Sequence, residues 1–299
     1  MTTDILAQAI LRTVAYADVF DYPPTVAEVH RYLEVPATLA QVETCLHDGL
    51  LASGRLVAHD GYLTLPGRET IVAVRREREA RARLLWPRAL AYGRWLAAVP
   101  FVRMVALTGS LAVNNPDERS DLDYLLITAP GRLWLCRAMV ILLVRWAAHR
   151  GDTICPNYLL SEQALALAPQ DYFVARELTQ LVPLYGLAVY HRLRRVNAWT
   201  ATFLPNADGP PPYPDPAISN GSMTPLPPRL RGLAETVLRL PPTDYLERWE
   251  MRRKVAKFRN RYPNQSEALF SADCCKGHFE GHGQRIIAAY HETFKRLNV

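Results

Sequence analysis

Residues 107–128 read Leu107-Thr-Gly-Ser-Leu-Ala-Val-Asn-Asn-Pro-Asp-Glu-Arg-Ser-Asp-Leu-Asp-Tyr-Leu-Leu-Ile-Thr128, with ten residues between Gly109-Ser110 and Asp121-Leu122-Asp123. Apolar residues from Phe101 to Leu107 lead in and Tyr124 to Ile127 lead out, so two buried strands are predicted around the motif. Successive side chains of a strand alternate faces, which puts Asp121 and Asp123 on one side and turns Leu122 inward. Two carboxylates on one face can hold a divalent cation. Mg²⁺ favours one or two protein carboxylates and completes its shell with phosphate oxygens and water. Gly109 lets a ligand approach the backbone, and Ser110, opening a helix, can donate from its amide and hydroxyl to phosphate. The intervening Leu111 to Ser120 is long enough for a short helix and a turn. Asn115-Pro116-Asp117 is the breaker that returns the carboxylates beside Gly-Ser. The competing reading is a surface turn with two solvated aspartates.

On these residues, including Ser120 before the first acid, the stretch resembles the signature of the polymerase-beta-like nucleotidyltransferase superfamily over about residues 101 to 160. The resemblance implies that Gly109 and Ser110 bind a nucleoside triphosphate. It implies that Asp121 and Asp123 hold Mg²⁺ or Mn²⁺, which activates an acceptor and stabilises departing pyrophosphate.

The family pattern also asks for a third carboxylate on a neighbouring strand, and the next strand candidate, Ile154 to Leu160, contains no acid. Asp152 sits just before it and Asn157 in its middle. An asparagine can offer a carbonyl oxygen to a metal but cannot take a proton from an acceptor hydroxyl. Asp152 is therefore the candidate third catalytic carboxylate, Asn157 a candidate metal ligand, and Glu162 a further candidate beyond the strand. The plain alternative makes Asp152 part of the Gly151-Asp152 turn and Asn157 a hydrogen-bonded polar residue.

The chain has 299 residues, 49% of them hydrophobic, enough for a sizeable core and two or three domains. The start, Met-Thr-Thr-Asp, lacks the charge of a signal peptide, and the most apolar helix pattern, Leu133 to Ala148, carries Arg137 and Arg145. Five cysteines without a regular framework suit a reducing compartment. The expectation is a cytoplasmic protein with no membrane partner.

The net charge of +6 is unevenly spread. Residues 1–66 hold eight acids against three arginines, while residues 67–103 hold nine arginines against three glutamates. Residues 229–299 hold fourteen Arg and Lys against eight acids. A polyphosphate or nucleic acid would be drawn to the later segments and repelled by the first.

Within residues 1–67, three helices and a hairpin are predicted: Ile5 to Phe20; a second helix to Leu33, capped by Thr25 with Glu28; a third, Leu39 to Leu51, capped by Thr38. Arg55 to His59 and Tyr62 to Leu65 then flank Asp60-Gly61, a two-residue hairpin signal. That is the order of a winged helix. Its third helix, however, carries Glu43 and Asp48 and no Lys or Arg, so sequence-specific DNA reading is not expected and a scaffold or protein-contact role is. Residues 68–100 read as a connecting helix broken near Trp86-Pro87, its arginines from Arg75 to Arg83 a solvated face with Glu77–Arg81 an i, i+4 pair.

After the 154–160 strand, helices are expected over Asp171 to Leu187 and Val189 to Trp199, completing a domain of residues 101–204. Residues 205–228 contain nine of the 23 prolines and read as a linker or wrapping arm. Residues 229–299 read as helical, interrupted by Ser271-Ala-Asp-Cys-Cys-Lys-Gly-His-Phe-Glu-Gly-His-Gly283. There Cys274, Cys275, His278 and His282 could form a zinc site. The preferred reading is a Gly-rich helix entry that offers Lys276 and His278 to a phosphate.

Together these features predict an α+β chain acting as a metal-dependent nucleotidyltransferase on an NTP, its acceptor being RNA, protein or a small molecule. Two alternatives follow: a non-catalytic nucleotide sensor with a degenerate site, and a toxin-like enzyme that modifies RNA or protein.

Overall fold

The structure is a computed structural model of mixed α+β architecture and describes residues 3–212, 227–261, 269–276 and 282–296. The N-terminal segment follows the predicted order of helix, helix, helix, hairpin: α1 (Thr3–Asp18), α2 (Val26–Arg31), α3 (Leu39–Cys45), β1 (Val57–His59) and β2 (Tyr62–Thr64). Both caps form as capping boxes, Thr25 with Glu28 and Thr38 with Gln41, so two donors at each helix start are satisfied locally. Past Cys45 the third helix widens into a π-type turn to Leu51. Asp60 and Gly61 both take positive φ, +53° and +86°, the geometry a two-residue turn needs to match strand twist. Ile10, Leu33, Val42, Leu46 and Leu56 build the core of this segment. Glu43 and Asp48 remain exposed.

Next comes α4 (Ile71–Ala98), unbroken over 28 residues. The expected break at Trp86-Pro87 does not occur. Pro87 lies on the exposed side, so the Arg83 carbonyl it leaves without a donor faces water, while Trp86, Ala89, Tyr92 and Leu96 bury a continuous stripe. The Glu77–Arg81 pair forms at 3.3 Å. The solvated-face reading fails for Arg75, which is only 3% exposed: its guanidinium pairs with Glu28 (2.9 Å) and Glu79 (2.6 Å) and lies 3.7 Å above the ring of Tyr22.

The central sheet runs β6-β3-β4-β5-β8-β7, where β3 is Val102–Thr108, β4 Leu122–Thr128, β5 Ile154–Ser161, β6 Val182–Tyr185, β7 Leu269–Phe270 and β8 Cys274–Lys276. Strands β4 and β5 are parallel and the other pairs antiparallel. A four-residue helix, α5 (Gly109–Ala112), joins β3 to the turn before β4, and α6 (Leu133–Ala148) crosses from β4 to β5. Alternation along β3 and β4 sends Val105, Leu107, Tyr124 and Leu126 toward α4 and α6. Met104, Ala106, Leu125 and Ile127 face the other layer, α7 (Tyr172–Thr179) and α8 (Leu187–Val196). Each fully buried Val or Leu contributes about 1.5–3 kcal/mol, which fixes the register, because a one-residue slip would exchange the two faces.

The single helix expected over Asp171 to Leu187 is instead α7, a turn and strand β6. Pro183 forbids a continuous helix there and is tolerated at the sheet edge. Of the Pro-rich stretch residues 205–212, 227 and 228 are described, and its first part packs on the N-terminal segment. Asn206 accepts from the Ala37 amide and donates to the Val35 carbonyl.

Three helices follow: α9 (Pro228–Val237), α10 (Pro241–Arg261) and α11 (His282–Arg296). Helix α6 has no side-chain cap of its own. Glu247 of α10 supplies one from a distance, accepting from the amides of Trp134 (2.9 Å) and Leu135 (2.6 Å). Among the described residues no helix is long and apolar enough to cross a membrane.

Candidate functional site

The antiparallel pairing of β3 with β4 sets Thr108 opposite Asp123, so the chain turns into Gly109 directly beside that carboxylate. Gly109 has φ +68°, a left-handed conformation that side chains resist. A Cβ there would collide with Asp123 Oδ2 and lie 3.1 Å from its Cγ. Backbone and acid are thus packed against each other, which only glycine permits. The loop returning from α5 is braced by a local box: Asp117 Oδ1 accepts from the Arg119 amide and the Ser120 hydroxyl, and Ser120 Oγ accepts from the Asp117 amide. Ser120 therefore holds the turn that delivers Asp121.

Asp121 and Asp123 both stand half-buried on the α7 side of β4. Burial first, and then repulsion from Asp121, raise the Asp123 pKa to about 7 against the opposing hydrogen bond of the Cys155 thiol. Burial also raises that of Asp121. Two hard oxygen donors whose mutual repulsion a cation would relieve fit a Mg²⁺ ion in type and charge.

Asn157 reaches this pair through an irregularity. Asp123 pairs with Cys155 but Leu125 pairs with Tyr158, so Pro156 and Asn157 together oppose one residue of β4. Pro156, with no amide to donate, suits such a bulge. Asn157 Nδ2 donates to Asp123 Oδ1 at 3.0 Å, while its own Oδ1 faces the Cys155 thiol at 3.4 Å. The residue expected as a metal ligand is placed as a hydrogen-bond donor to Asp123.

Asp152 is not brought to the pair. Its carboxylate accepts from Arg88 (3.0 Å) and from the Tyr92 hydroxyl (2.6 Å), both on α4, whose layer covers the opposite face of the sheet. As the plain reading had it, Asp152 belongs to the turn after Gly151, tied down by α4. Glu162 is engaged too, with Arg192 at 2.9 Å and Arg103 at 3.9 Å. Among the described residues no set of three His, Cys, Asp or Glu side chains is grouped for a metal ion.

Gly109 and Ser110 open onto a cavity of about 390 Å³, within the range of small-molecule sites. Its aromatic wall, Tyr16, Phe20 and Tyr22, comes from the N-terminal segment. Its charged wall comes from Arg78 on α4 and Arg176 and Glu177 on α7. Arg78 is held by the Phe20 carbonyl and by Asn115 Oδ1. A larger cavity, about 780 Å³ between α1 and α11, holds the Arg12–Glu34 pair at 3.3 Å and does not include the Gly-Ser turn in its lining.

Lys276 is the last residue of β8, beside Tyr158 of β5, its ammonium 5.8 Å from that ring. There it shares the α7 side of the sheet with Cys274 and exerts an attraction on Glu177. His278 lies outside the described residues. The zinc reading fails at its first pair. In β8 adjacent residues face opposite ways, so Cys274 enters the α7-side core and Cys275 the α4-side core, and no single ion reaches both. None of the five cysteines is in a disulfide.

Sequence reasoning missed Arg176 and the aromatic wall. A signal existed for the first: the arginine stands among Ala175, Leu178 and Thr179, the buried stripe of its helix. The wall follows from tertiary docking of α1. The chain matches no family model, no curated protein and no solved structure.

Proposed function

We propose that the chain is a metal-dependent nucleotidyltransferase with a winged-helix-like N-terminal domain. The observation that carries the reading is the packing of Gly109, at positive φ, against the Asp123 carboxylate, while Gly109 and Ser110 line a cavity on their other side. A surface turn with two solvated aspartates has no need of a glycine so placed, nor does it half-bury both acids.

In this reading the nucleoside triphosphate lies in the cavity, its base toward Phe20 and Tyr22 and its phosphates at Gly109 and Ser110. Asp121 and Asp123 would hold Mg²⁺, which supplies charge neutralisation for the phosphates when bound. An acceptor oxygen forms a bond to the α-phosphorus and passes any proton it carries to solvent, the bond from that phosphorus to the bridging oxygen breaks, and pyrophosphate leaves with the electron pair. The protein's part is positioning. Incubation with Mg²⁺ and each labelled triphosphate, with and without bulk tRNA or protein, should release pyrophosphate and transfer label. Absence of both under all four nucleotides would overturn the reading.

A second reading has support of its own. The Asn157 amide occupies the neighbouring-strand position with a neutral donor, which suits a nucleotide sensor that binds without turnover. Such a protein would bind Mg²⁺-nucleotide and release no pyrophosphate.

A further inference from the structure

Arg176 is 4% exposed, and its Nε and Nη1 are buried with no hydrogen-bond partner. Among the described residues no carboxylate pairs with it. The acid next to it in sequence, Glu177, attracts it without forming a salt bridge and is itself pushed toward its neutral form by burial. The guanidinium lies instead between two rings, 4.0 Å from the centre of Tyr32 and 4.7 Å from that of Tyr16, with the Tyr172 hydroxyl as a polar neighbour that does not satisfy Nε or Nη1. Ring faces orient a cation and repay part of its lost hydration, but they accept no conventional hydrogen bond. An arginine cannot shed its proton to escape the cost of burial. A buried charge without a partner is expensive, and it persists where a ligand supplies the missing one.

The same side chain lines the cavity onto which Gly109 and Ser110 open. A guanidinium presents its N–H groups as a rigid fork matched to phosphate oxygens, and here two nitrogens are unused. Resting on the nucleotide reading above, we propose that Arg176, oriented by the rings of Tyr16 and Tyr32, is the phosphate anchor of this cavity and takes a terminal phosphate of the nucleotide. The N-terminal helix then takes part in the nucleotide site, because Tyr16 of α1 forms one side of the arginine's cage.

The test uses the full chain and inorganic tripolyphosphate in the presence of EDTA, followed by calorimetry, with the melting temperature recorded without ligand. Wild type should bind tripolyphosphate without metal. Arg176→Met, similar in length and apolar, should bind it at least about ten-fold more weakly and melt at or above the wild-type temperature, since it removes an unpaired buried charge. Arg176→Lys should fall between the two. Wild-type affinity in Arg176→Met overturns the proposal, as does a large fall in its melting temperature, which would mark a structural cation. The nucleotide reading is judged separately: Asp121→Asn with Asp123→Asn should abolish the Mg²⁺-dependent gain in ATP affinity yet retain tripolyphosphate binding in EDTA. A wild type that binds tripolyphosphate but shows no Mg²⁺-dependent ATP binding discards that reading and leaves a plain anion site.

Discussion

Asn157 Nδ2 donates to Asp123 Oδ1 across 3.0 Å, so strand β5 offers the buried acid a neutral donor from a two-residue bulge. Asn157→Asp exchanges that donor for a charge. Without metal the variant should be less stable than wild type at pH 8 by on the order of 1–3 kcal/mol, because a third acid joins two whose protons are already held up. With Mg²⁺ the order should reverse, and if the sensor reading holds, some pyrophosphate release should appear. Melting curves with EDTA and with Mg²⁺ check both signs.

Gly109→Ala should be among the most damaging small substitutions in the chain. It forces a side chain into positive φ and into the Asp123 carboxylate at once, so a loss of roughly 2–4 kcal/mol is expected, with loss of nucleotide binding. Denaturant unfolding of the variant beside Gly67→Ala separates the effects, since Gly67 also has positive φ but open space around it.

The raised Asp123 pKa predicts a pH dependence of definite sign. The folded state holds this proton more tightly than the unfolded chain does, so the group favours folding at low pH, and that contribution is lost as pH climbs from about 4 through about 7. Asp123→Asn lacks the loss. In EDTA the variant's stability relative to wild type should therefore rise between pH 5 and pH 8, by on the order of 1–3 kcal/mol. Mg²⁺ affinity of the wild type should fall on acidification through about 7, with proton uptake on metal release. A relative stability that does not change with pH would refute the shift.

Glu235 gives the opposite sign. Although burial opposes it, hydrogen bonds from Arg103, the Phe101 amide and Arg231 hold its pKa down to about 2, so its stabilisation is complete above the ordinary glutamate range and lost as pH falls from about 4.5 to about 2. Glu235→Gln should lower stability at pH 7 by about 1–3 kcal/mol and should differ little from wild type near pH 2. Chemical denaturation at the two pH values is the measurement.

Local signals carried the N-terminal segment well. Thr25 and Thr38 cap where oxygen-bearing residues precede helical periodicity, and Asp60-Gly61 turns where both residues must take positive φ. The same locality made the Gly109 turn and the shared face of Asp121 and Asp123 readable, since alternation along one strand needs no tertiary information. Sequence alone leaves Asp152 between two readings, because its fate depends on Arg88 and Tyr92, some sixty residues earlier in the chain. Residues 182–185 and 274–276 are too short to show a period of two, and they become strands only because an edge of the sheet is open to them. Arg75 looked solvated because a charge run reads alike whether its partners are water or Glu28 and Tyr22.

Strand β8 has a consequence for how the chain tolerates being cut. It pairs with β5 across Tyr158, Leu159 and Leu160, and its two cysteines plug one core on each side of the sheet. A chain ending at residue 212 would keep the Gly-Ser turn and both acids in sequence but leave β5 as a naked edge, with unpaired amides and carbonyls beside newly exposed apolar surface. Such an edge recruits other strands. The shortened protein would fail by self-association rather than by unfolding, and insolubility on expression would say nothing about its chemistry.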